Sequence, residues 1–511
     1  MPWASESPER PALIDGGRVW TYAALEDAVR RTSAWLTGKG IRPGDRMMIV
    51  NENSPAAIVL LLASARLGAW AVPVSARLAD REIDQVSDLS GARRVIYTVA
   101  ASPLAAAHAR RREAKIESLP ADAGPVAVGP LDSSVLPEPQ TLDPASGVAV
   151  LIYTSGTIGR PKGVMLTHRN LLFMAEISGQ MRSLTPDDRF YGVLPVSHIV
   201  GLAVVVLGSL FHGASVHLAA RFHPGMAARA LAEGQVTIML GVPSMYALLA
   251  EYAETGGLRP LPHPCLRAIG VCGAPLDPAV KHAAERLFAM PLHNGYGITE
   301  CSPTISQTLL DQPRTDCSVG RLLPGVEAKI VGADGAPVAA GAVGELRVRG
   351  PNVMRGYYNA PRETEAAIDA EGWFNTRDLA RLEDGNLFIV GRTRELIIRF
   401  GFNVYPAEIE AVLNHHPAVL HSAVLGLPVG SEEEIIAFVQ PLPGPTPSAA
   451  ELMRYAAREL APYKRPTRIM LVAQLPLSSA GKIRKAELAK LIADHGSTSP
   501  LAGSLSSPPM P

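Results

Sequence analysis

The first hundred residues alternate between helical spacing and short apolar runs. A helix is predicted in TYAALEDAVRRTSAWLTGKG, where apolar residues recur every three or four positions. Its apolar side holds Ala24, Leu25, Val29, Trp35 and Leu36. A buried strand is predicted in DRMMIV after the turn RPG, and a buried helix followed by a strand in AAIVLLLASARLGAWAVPV. This alternation indicates a largely parallel sheet covered by helices.

The alternation returns after a segment of different composition. Residues Ala101 to Ala145 are rich in Ala, Pro and Asp, and we expect surface loops there. The apolar strand GVAVLIY opens a second α/β run, with strands predicted in VTIMLGV, LRAIGVCG and PLHNGYG. Each of these three ends in a glycine-containing turn. Open α/β sheets bind ligands at the carboxyl ends of their strands, so we expect the site there.

Shorter elements follow in the last third of the chain. Between Val319 and Val390, short strands are predicted in AKIV, GELRVRG and GNLFIVG. After Gly391, strands in ELIIRF, HSAVLGL and EIIAFVQP alternate with helices in PAEIEAVLNHH and AELMRYAAREL. The predicted fold class is therefore α/β, with a large N-terminal domain of several subdomains, one β-rich, and a small α+β C-terminal domain. The expected bounds are 1–391 and 395–495, with a disordered low-complexity tail at 496–511.

Composition narrows the function classes. Lys+Arg and Asp+Glu both total 48, which argues against a nucleic-acid binder, because such proteins show a basic excess. The polar N-terminus has no apolar signal core, and the longest apolar run, Ile199–Phe211, is shorter than the roughly 20 residues of a membrane-spanning helix. No C-x-x-C pair occurs among Cys265, Cys272, Cys301 and Cys317. We expect a cytoplasmic protein without a transmembrane segment.

The first chemical motif is YTSGTIGRPKGVMLTHRN, Tyr153 to Asn170. It is not a Walker A loop, because Gly156 and Gly159 are three apart and Gly163 follows Lys162. Its physics is nevertheless similar: glycines turn backbone N–H groups toward an anion, hydroxyls add donors, and a lysine adds charge. The segment is either a phosphate-binding loop or a polar surface turn.

Three further motifs follow this loop in order. They are HNGYGITE, NTRDLARLEDGNLFIVGR and PLSSAGKIRKAEL. With the loop, they make the chain from about Ala12 to Leu491 resemble the adenylate-forming superfamily of acyl-CoA synthetases, nonribosomal adenylation domains and luciferases. No single motif would justify the resemblance, but their order and spacing together are specific.

The resemblance implies an AMP-forming carboxylate–CoA ligase. A carboxylate attacks the α-phosphorus of ATP to give acyl-AMP and pyrophosphate, and the thiol of coenzyme A then displaces AMP. Positioning and charge neutralisation supply most of the catalysis in such transfers. The implied ligands are ATP, Mg²⁺, coenzyme A and a small-molecule carboxylic acid. We expect a monomer or homodimer whose C-terminal domain is mobile about a hinge at 392–394.

The resemblance also assigns nucleotide-binding residues. The loop over the β- and γ-phosphates would comprise Thr154, Ser155, Gly156, Thr157, Gly159 and Lys162. The segment along the adenine and the following strand end would comprise Gly273, Ala274, Pro275, Gly295, Tyr296 and Gly297, with Tyr296 stacked on the base. Thr299 would contact the α-phosphate, Glu300 would hold Mg²⁺, and Asp378 with Arg392 would clamp the ribose hydroxyls.

A second group of residues would serve the acid, the thiol and the domain rotation. Lys482 would be the catalytic lysine that bridges carboxylate and α-phosphate, and His198 would gate the route between acid and thiol. The acyl pocket would be lined by His198, Gly241, Gly273, Gly295 and Gly297. Coenzyme A would meet Arg399, Gly401 and Phe402, and Arg394 would be the hinge residue.

Ordinary structural roles compete with several of these assignments. Tyr296 could instead be an aromatic residue of the core, and Glu300 and Lys482 could be solvated side chains. His198 could be a packed, hydrogen-bonded histidine. Asp378 and Arg392 have the alternative of a surface ion pair. Four positions depart from the family pattern. Ile158 replaces a usual threonine, and Arg377 replaces a usual glycine, where it would crowd the ribose side. Ile398 and Asn403 stand where some members have basic residues.

The acid and the acceptor remain open to alternatives. No carboxylate occurs in PVSHIVG to pair with a substrate ammonium, which disfavours an α-amino acid, and the pocket glycines leave room for an aromatic ring or an aliphatic chain. The motifs look closest to fatty-acyl and aryl-CoA ligases. The competing functions are an acyl-AMP ligase that loads a carrier-protein thiol, an amidase-like hydrolase using Ser478, Ser479 and Lys482, and a noncatalytic nucleotide-binding relative.

Overall fold

The chain divides into two compact units, Met1–Thr393 and Arg394–Pro511. The structure is a computed structural model that describes residues 1–154, 161–258, 260–399, 402–429, 432–477 and 483–495. Helices alternate with strands of large sheets, so the predicted α/β fold is confirmed. The division falls inside the segment 392–394. Rotation about that segment stays a prediction.

Strands and helices of the first unit follow the predicted alternation. Its strands are β1 (Pro11–Asp15), β2 (Arg18–Thr21), β3 (Arg46–Asn51), β4 (Trp70–Ser75), β5 (Arg94–Tyr97), β6 (Lys115–Ser118), β7 (Pro125–Val128), β8 (Val148–Thr154), β9 (Lys162–Thr167), β10 (Arg189–Gly192), β11 (Ser215–Leu218), β12 (Ile238–Gly241), β13 (Ala268–Val271), β14 (Leu292–Gly297), β15 (Thr304–Gln307), β16 (Arg321–Leu322), β17 (Glu327–Val331), β18 (Gly344–Arg349), β19 (Gly356–Tyr357), β20 (Phe374–Glu383) and β21 (Asn386–Arg392). Its helices are α1 (Trp3–Glu6), α2 (Tyr22–Gly38), α3 (Pro55–Leu67), α4 (Asp80–Ser90), α5 (Pro103–Arg111), α6 (His168–Gln180), a π-helical segment (Val200–Leu207), α7 (Gly208–Phe211), α8 (Pro224–Ala232), α9 (Pro243–Thr255), α10 (Pro278–Phe288) and α11 (Pro361–Ala367).

Three sheets organise the described residues of this unit. The nine-stranded sheet has the order β16-β15-β14-β13-β12-β10-β11-β1-β2, the eight-stranded sheet β19-β9-β8-β4-β3-β5-β7-β6, and the four-stranded sheet β17-β18-β20-β21. In the nine-stranded sheet β10, β11, β12, β13 and β14 run parallel. Their carboxyl ends therefore lie along one edge, where the sequence predicts the ligand site.

Local signals explain why helix α3 forms where it does. The hydroxyl of Ser54 accepts a hydrogen bond from the Ala57 N–H at 3.3 Å, and Pro55 occupies the first turn, where its missing N–H costs nothing. The helix ends at Gly68, whose φ of 78° is the left-handed conformation that glycine tolerates best. Most of its side chains are buried, as the uninterrupted apolar sequence predicts.

The expectation of surface loops from Ala101 to Ala145 is wrong in part. The segment contains helix α5 and strands β6 and β7, which pair with each other and with β5. Ser102 caps α5 by accepting from the Ala105 N–H at 3.2 Å, and Pro103 begins it. Strand β6 is largely exposed, so its sequence carries no apolar signal, whereas β7 is mostly buried. In helix α2, Ala24 is exposed although the predicted apolar side is otherwise largely buried.

His293 on β14 makes the stability of this unit depend on pH. Burial, with the charges of Lys281 and Arg182, lowers the pKa of His293 to about 4 from an ordinary 6.5. The unfolded chain therefore binds a proton that the folded chain excludes, so stability falls as pH drops from 6.5 toward 4. We expect His293→Gln to flatten this fall in a thermal-unfolding series, whereas His282→Gln, at an exposed position of α10, leaves the profile unchanged. Parallel wild-type and His293→Gln profiles would contradict this assignment.

The second unit is a small α+β body. Its strands are β22 (Ile397–Arg399), β23 (Phe402–Val404), β24 (Val419–Val429), β25 (Glu432–Pro441) and β26 (Arg468–Leu471), and its helices are α12 (Pro406–Asn414), α13 (Ala449–Glu459) and α14 (Lys485–His495). Strands β24, β25 and β26 form one sheet and β22 and β23 another. Lys485 lies 2.9 Å from both Glu395 and Glu410, which ties α14 to this unit.

The tail 496–511 lies outside the described residues. Among the described residues, no helix is long and apolar enough to cross a membrane.

Candidate active site

Strands β8 and β9 carry the ends of the predicted phosphate loop. They pair antiparallel, with Thr154 opposite Lys162, so the two ends of the loop lie side by side. The ammonium of Lys162 lies 4.8 Å from the centre of the Tyr357 ring, a cation–π contact that orients the lysine. Residues 155–160 of the loop lie outside the described part of the chain, and they include the predicted Ser155, Gly156, Thr157 and Gly159.

The carboxyl end of β14 carries the next group of predicted residues. Gly295, Tyr296 and Gly297 end the strand, and a short 3-10 turn then contains Thr299 and Glu300. A Cβ atom on Gly297 would lie 2.1 Å from the carbonyl oxygen of Pro303, so this position requires glycine because the backbones approach closely. The turn that carries Thr299 and Glu300 therefore begins at a backbone position that is fixed at the edge of the sheet.

Glu300 is held by a tyrosine that sequence reasoning missed. The hydroxyl of Tyr357 donates to Oε1 of Glu300 at 3.0 Å, and the N–H of Met354 donates to the Glu300 carbonyl at 2.8 Å. Burial and the charge of Glu300 raise the pKa of Tyr357, so its hydroxyl stays protonated and can donate. In the sequence, the tyrosines of GYYN follow the predicted strand GELRVRG, but nothing there relates them to Glu300.

Tyr296, Asp378 and Arg392 form one cluster. The carboxylate of Asp378, which is 3% exposed, accepts from the Tyr296 hydroxyl at 2.5 Å and from Nε of Arg392 at 3.1 Å. Asp378 and Arg392 lie opposite each other on β20 and β21. Burial and the charge of Asp378 raise the pKa of Tyr296 well above its usual value. The structure thus brings the predicted adenine-stacking residue and the predicted ribose clamp together.

Arg377 occupies the position that the family pattern gives to glycine. Its φ of 58° is left-handed, which costs a residue other than glycine about 1–2 kcal/mol. The side chain of Asn375 accepts from its N–H at 2.8 Å and so supports this conformation. The Arg377 side chain is exposed. The glycine signature therefore reflects a backbone requirement that this chain meets with a strained arginine.

The strand ends of β12 and β13 carry the predicted adenine segment and acyl-pocket glycines. The N–H of Cys272 donates to the Gly241 carbonyl at 3.1 Å, so Gly241 and Gly273 lie near each other at adjacent strand ends. Gly273 has a φ of 83°. Ala274 is half-buried and Pro275 is exposed.

His198 lies on a loop that another side chain holds in place. The histidine is half-buried, and its Nδ1 accepts from the Val200 N–H at 3.4 Å. Asn53, two residues after β3, places its amide nitrogen 3.0 Å from the Gly192 and Leu194 carbonyls, and its Oδ1 accepts from the Val196 N–H at 2.9 Å. Asn53 is 4% exposed and also lies 3.2 Å from the Ala219 carbonyl. Sequence reasoning missed this residue.

The predicted thiol-side residues belong to the second unit. Arg399 on β22 donates from Nη1 to the Arg465 carbonyl at 2.7 Å, and Phe402 begins β23. Arg394 is the first residue of the unit. Gly401 and Lys482, together with Ser478 and Ser479 of the hydrolase alternative, lie outside the described residues. Their roles stay predictions.

The chemistry of Glu300 fits the predicted magnesium ion. Within the described ranges, no group of three or more His, Cys, Asp or Glu side chains could hold a metal by itself. Mg²⁺ in nucleotide sites is typically bound through one or two carboxylates plus substrate phosphates. The Glu300 carboxylate, near Lys162, is therefore suited to bind Mg²⁺ together with the phosphates of a nucleotide.

Family models match both units. A model described as AMP-binding enzyme matches residues 2–358, and one described as AMP-binding enzyme C-terminal domain matches residues 408–482. A feruloyl-CoA synthase from Amycolatopsis is 34% identical over 495 residues, which cover 95% of this chain and 96% of that protein. The resemblance drawn from the motifs is confirmed.

Solved structures agree with this assignment. ATP-bound MatB from Rhodopseudomonas palustris has a TM-score of 0.83 and 29% identity, over 96% of this chain and 97% of that one. The o-succinylbenzoate coenzyme A synthetase MenE from Bacillus subtilis, in complex with ATP and a magnesium ion, has a TM-score of 0.81 and 29% identity, over 96% and 98% of the two chains. The chain belongs to the AMP-binding enzyme family, the adenylate-forming superfamily.

Proposed function

We propose that the acid activated by this chain is a fatty or aromatic carboxylic acid without an α-amino group. The enzyme class follows from the family and its relatives: the chain is an AMP-forming carboxylate–CoA ligase that uses ATP, Mg²⁺ and coenzyme A. It is an acid–thiol ligase, and the carrier-protein alternative is not favoured, because the relatives are named as CoA enzymes.

Within this reaction we assign roles to the first unit as follows. Asp378 accepts the ribose hydroxyls, and Tyr296 provides an aromatic face for the base. Lys162 neutralises the β- and γ-phosphates, and Thr299 contacts the α-phosphate. Glu300 would hold Mg²⁺, which supplies charge neutralisation for the polyphosphate when bound. The support is that these side chains lie at adjoining strand ends or on strands tied to them.

The observation that carries the substrate proposal is the uncharged helical segment that follows His198 directly. His198 leads into Val200–Leu207, which contains no Asp, Glu, Lys or Arg and is almost entirely buried. In the proposed acyl pocket at His198, a substrate ammonium would find no counter-charge on this segment, and burying it unpaired would cost several kcal/mol. Gly241, Gly273 and Gly295 add no side-chain volume. Such surroundings favour an apolar ring or chain.

Two other readings lack comparable support. A noncatalytic nucleotide-binding relative would have no reason to retain Lys162, Glu300, Asp378 and Lys482 together. An amidase-like hydrolase would use none of the nucleotide cluster. We also propose a cytoplasmic location, supported by four free cysteines, and a monomer or homodimer, which light scattering would test.

The proposal is tested by a panel of acids. Aromatic acids, medium- and long-chain fatty acids, α-amino acids and dicarboxylic acids are each assayed for pyrophosphate release that requires both ATP and coenzyme A. We expect turnover with an aromatic or aliphatic monocarboxylate, and none with its α-amino counterpart. Preference for an amino acid would overturn the substrate proposal. Pyrophosphate release that does not depend on coenzyme A, but that increases when a carrier-protein thiol is added, would support the carrier-protein alternative.

A further inference from the structure

Residues Met354–Tyr358, which we call the bridging segment, connect the two parts of the phosphate side. The N–H of Met354 donates to the Glu300 carbonyl at 2.8 Å. Tyr357 pairs with Val164 on β9, and the N–H of Tyr358 donates to the Gly163 carbonyl at 2.8 Å. One short stretch of backbone thus fixes the turn that carries Glu300 and the strand that begins with Lys162.

The Tyr357 side chain repeats this connection between charged groups. Its hydroxyl donates to Oε1 of Glu300 at 3.0 Å, and its ring centre lies 4.8 Å from the Lys162 ammonium. The residue is 8% exposed, so neighbouring atoms limit its rotamers. A buried phenol therefore contacts both a carboxylate and an ammonium, and it sets the separation between them.

Orientation of a carboxylate matters for a metal that it binds. A hydrogen bond to one carboxylate oxygen restricts the rotation of the group before any cation arrives, which removes part of the ordering cost of binding. Loss of such a supporting hydrogen bond commonly reduces metal affinity by about 10–100-fold. The ring contact with Lys162 similarly limits a long, flexible side chain.

We propose that Tyr357 is a positioning residue that sets the Mg²⁺ affinity of the nucleotide site by holding Glu300 and Lys162 in place. This inference rests on the proposed use of Mg²⁺ and ATP. Tyr357 contacts neither reacting atom in this proposal; it acts through Glu300 and Lys162.

The test compares two neighbouring tyrosines of the bridging segment. Tyr357→Phe removes the hydrogen bond to Glu300 and keeps the ring under Lys162. Tyr358→Phe is the matched control, because the Tyr358 hydroxyl also donates to a carboxylate, Oε1 of Glu138 at 2.6 Å, but not to Glu300. ATP binding is measured by calorimetry at a series of free Mg²⁺ concentrations, without acid or coenzyme A.

We expect Tyr357→Phe to raise the Mg²⁺ concentration for half-maximal ATP binding by about tenfold, whereas Tyr358→Phe leaves it unchanged. Tyr357→Leu also removes the ring, and it should weaken ATP binding further at saturating Mg²⁺. On a Glu300→Gln background, Tyr357→Phe should add little, because its target is already altered. A lower melting temperature with an unchanged Mg²⁺ dependence would identify a structural role only and overturn the proposal.

The outcomes also separate this inference from the proposed function. Mg²⁺-dependent ATP binding by the wild type that Tyr357→Phe does not change would overturn only the role of Tyr357. A wild-type protein that binds ATP equally with and without Mg²⁺ would overturn the use of the metal as well.

Discussion

We expect Lys482→Ala to slow acyl-adenylate formation by about a hundred- to thousandfold and to spare the transfer of a supplied acyl-AMP to coenzyme A. The first half-reaction gathers negative charge where carboxylate and α-phosphate meet, and loss of one positioned donor at such a point commonly costs this much. A compact ammonium on a flexible stem suits the task. The prediction rests on the motif PLSSAGKIRKAEL and the family, since Lys482 lies outside the described residues.

The two half-reactions are measured separately. Exchange of labelled pyrophosphate into ATP reports adenylate formation, and acyl-CoA production from synthetic acyl-AMP reports thioester formation. Lys490→Ala is the matched control, because Lys490 is an exposed lysine of α14. Equal losses in both half-reactions would contradict the expected rotation of the C-terminal domain between two working positions.

We expect Asp378→Ala to lower kcat/KM for ATP by at least about a hundredfold, mainly through a higher KM. Asp378 is buried and receives hydrogen bonds from Tyr296 and Arg392, so its carboxylate is already oriented. Two ribose hydroxyls donating to one charged acceptor contribute about 1.5–3 kcal/mol each. Their loss affects ground state and transition state alike, which is why the effect falls on KM.

Initial rates at varied ATP and saturating Mg²⁺ check this prediction. Asp378→Asn keeps the shape of the side chain and should lie between wild type and alanine. Glu327→Gln is a control at an exposed ion pair with Arg349, and it should leave the kinetics unchanged. If Asp378→Ala lowers thermal stability but leaves KM for ATP unaltered, then Asp378 and Arg392 form a structural pair and not a nucleotide clamp.

The fold was largely predictable because its main signals are local. Helix α2, strand β3 and helix α3 follow directly from apolar spacing and capping residues that lie within a few positions of each other. Between Ala101 and Ala145, strand β6 escaped prediction because it pairs with β7 and buries almost none of its own side chains. Backbone pairing of that kind produces no apolar pattern in the sequence.

The site was predictable where it depends on motifs and not where it depends on tertiary contacts. Glu300 and Asp378 stand in recognisable motifs, and the structure places each in a polar cluster. Tyr357 lies 57 positions from Glu300, and Asn53 lies 139 or more positions from the backbone groups it contacts. Periodicity and composition carry no information about such pairs. The left-handed backbone at Arg377 was likewise hidden, because the sequence gives an arginine where geometry favours glycine.

Asn53 holds the backbone that leads to His198, a residue of the proposed acyl pocket, and it does so from a distant part of the chain. Asn53 lies two residues after β3 of the eight-stranded sheet, and its amide binds the loop that leads from β10 of the nine-stranded sheet to His198. Only a side chain with both an acceptor and donors can make all of these hydrogen bonds, so aspartate or leucine at position 53 would lose some or all of them. If the acid passes His198 as we propose, variation at this remote position would change that route while the nucleotide cluster stays intact.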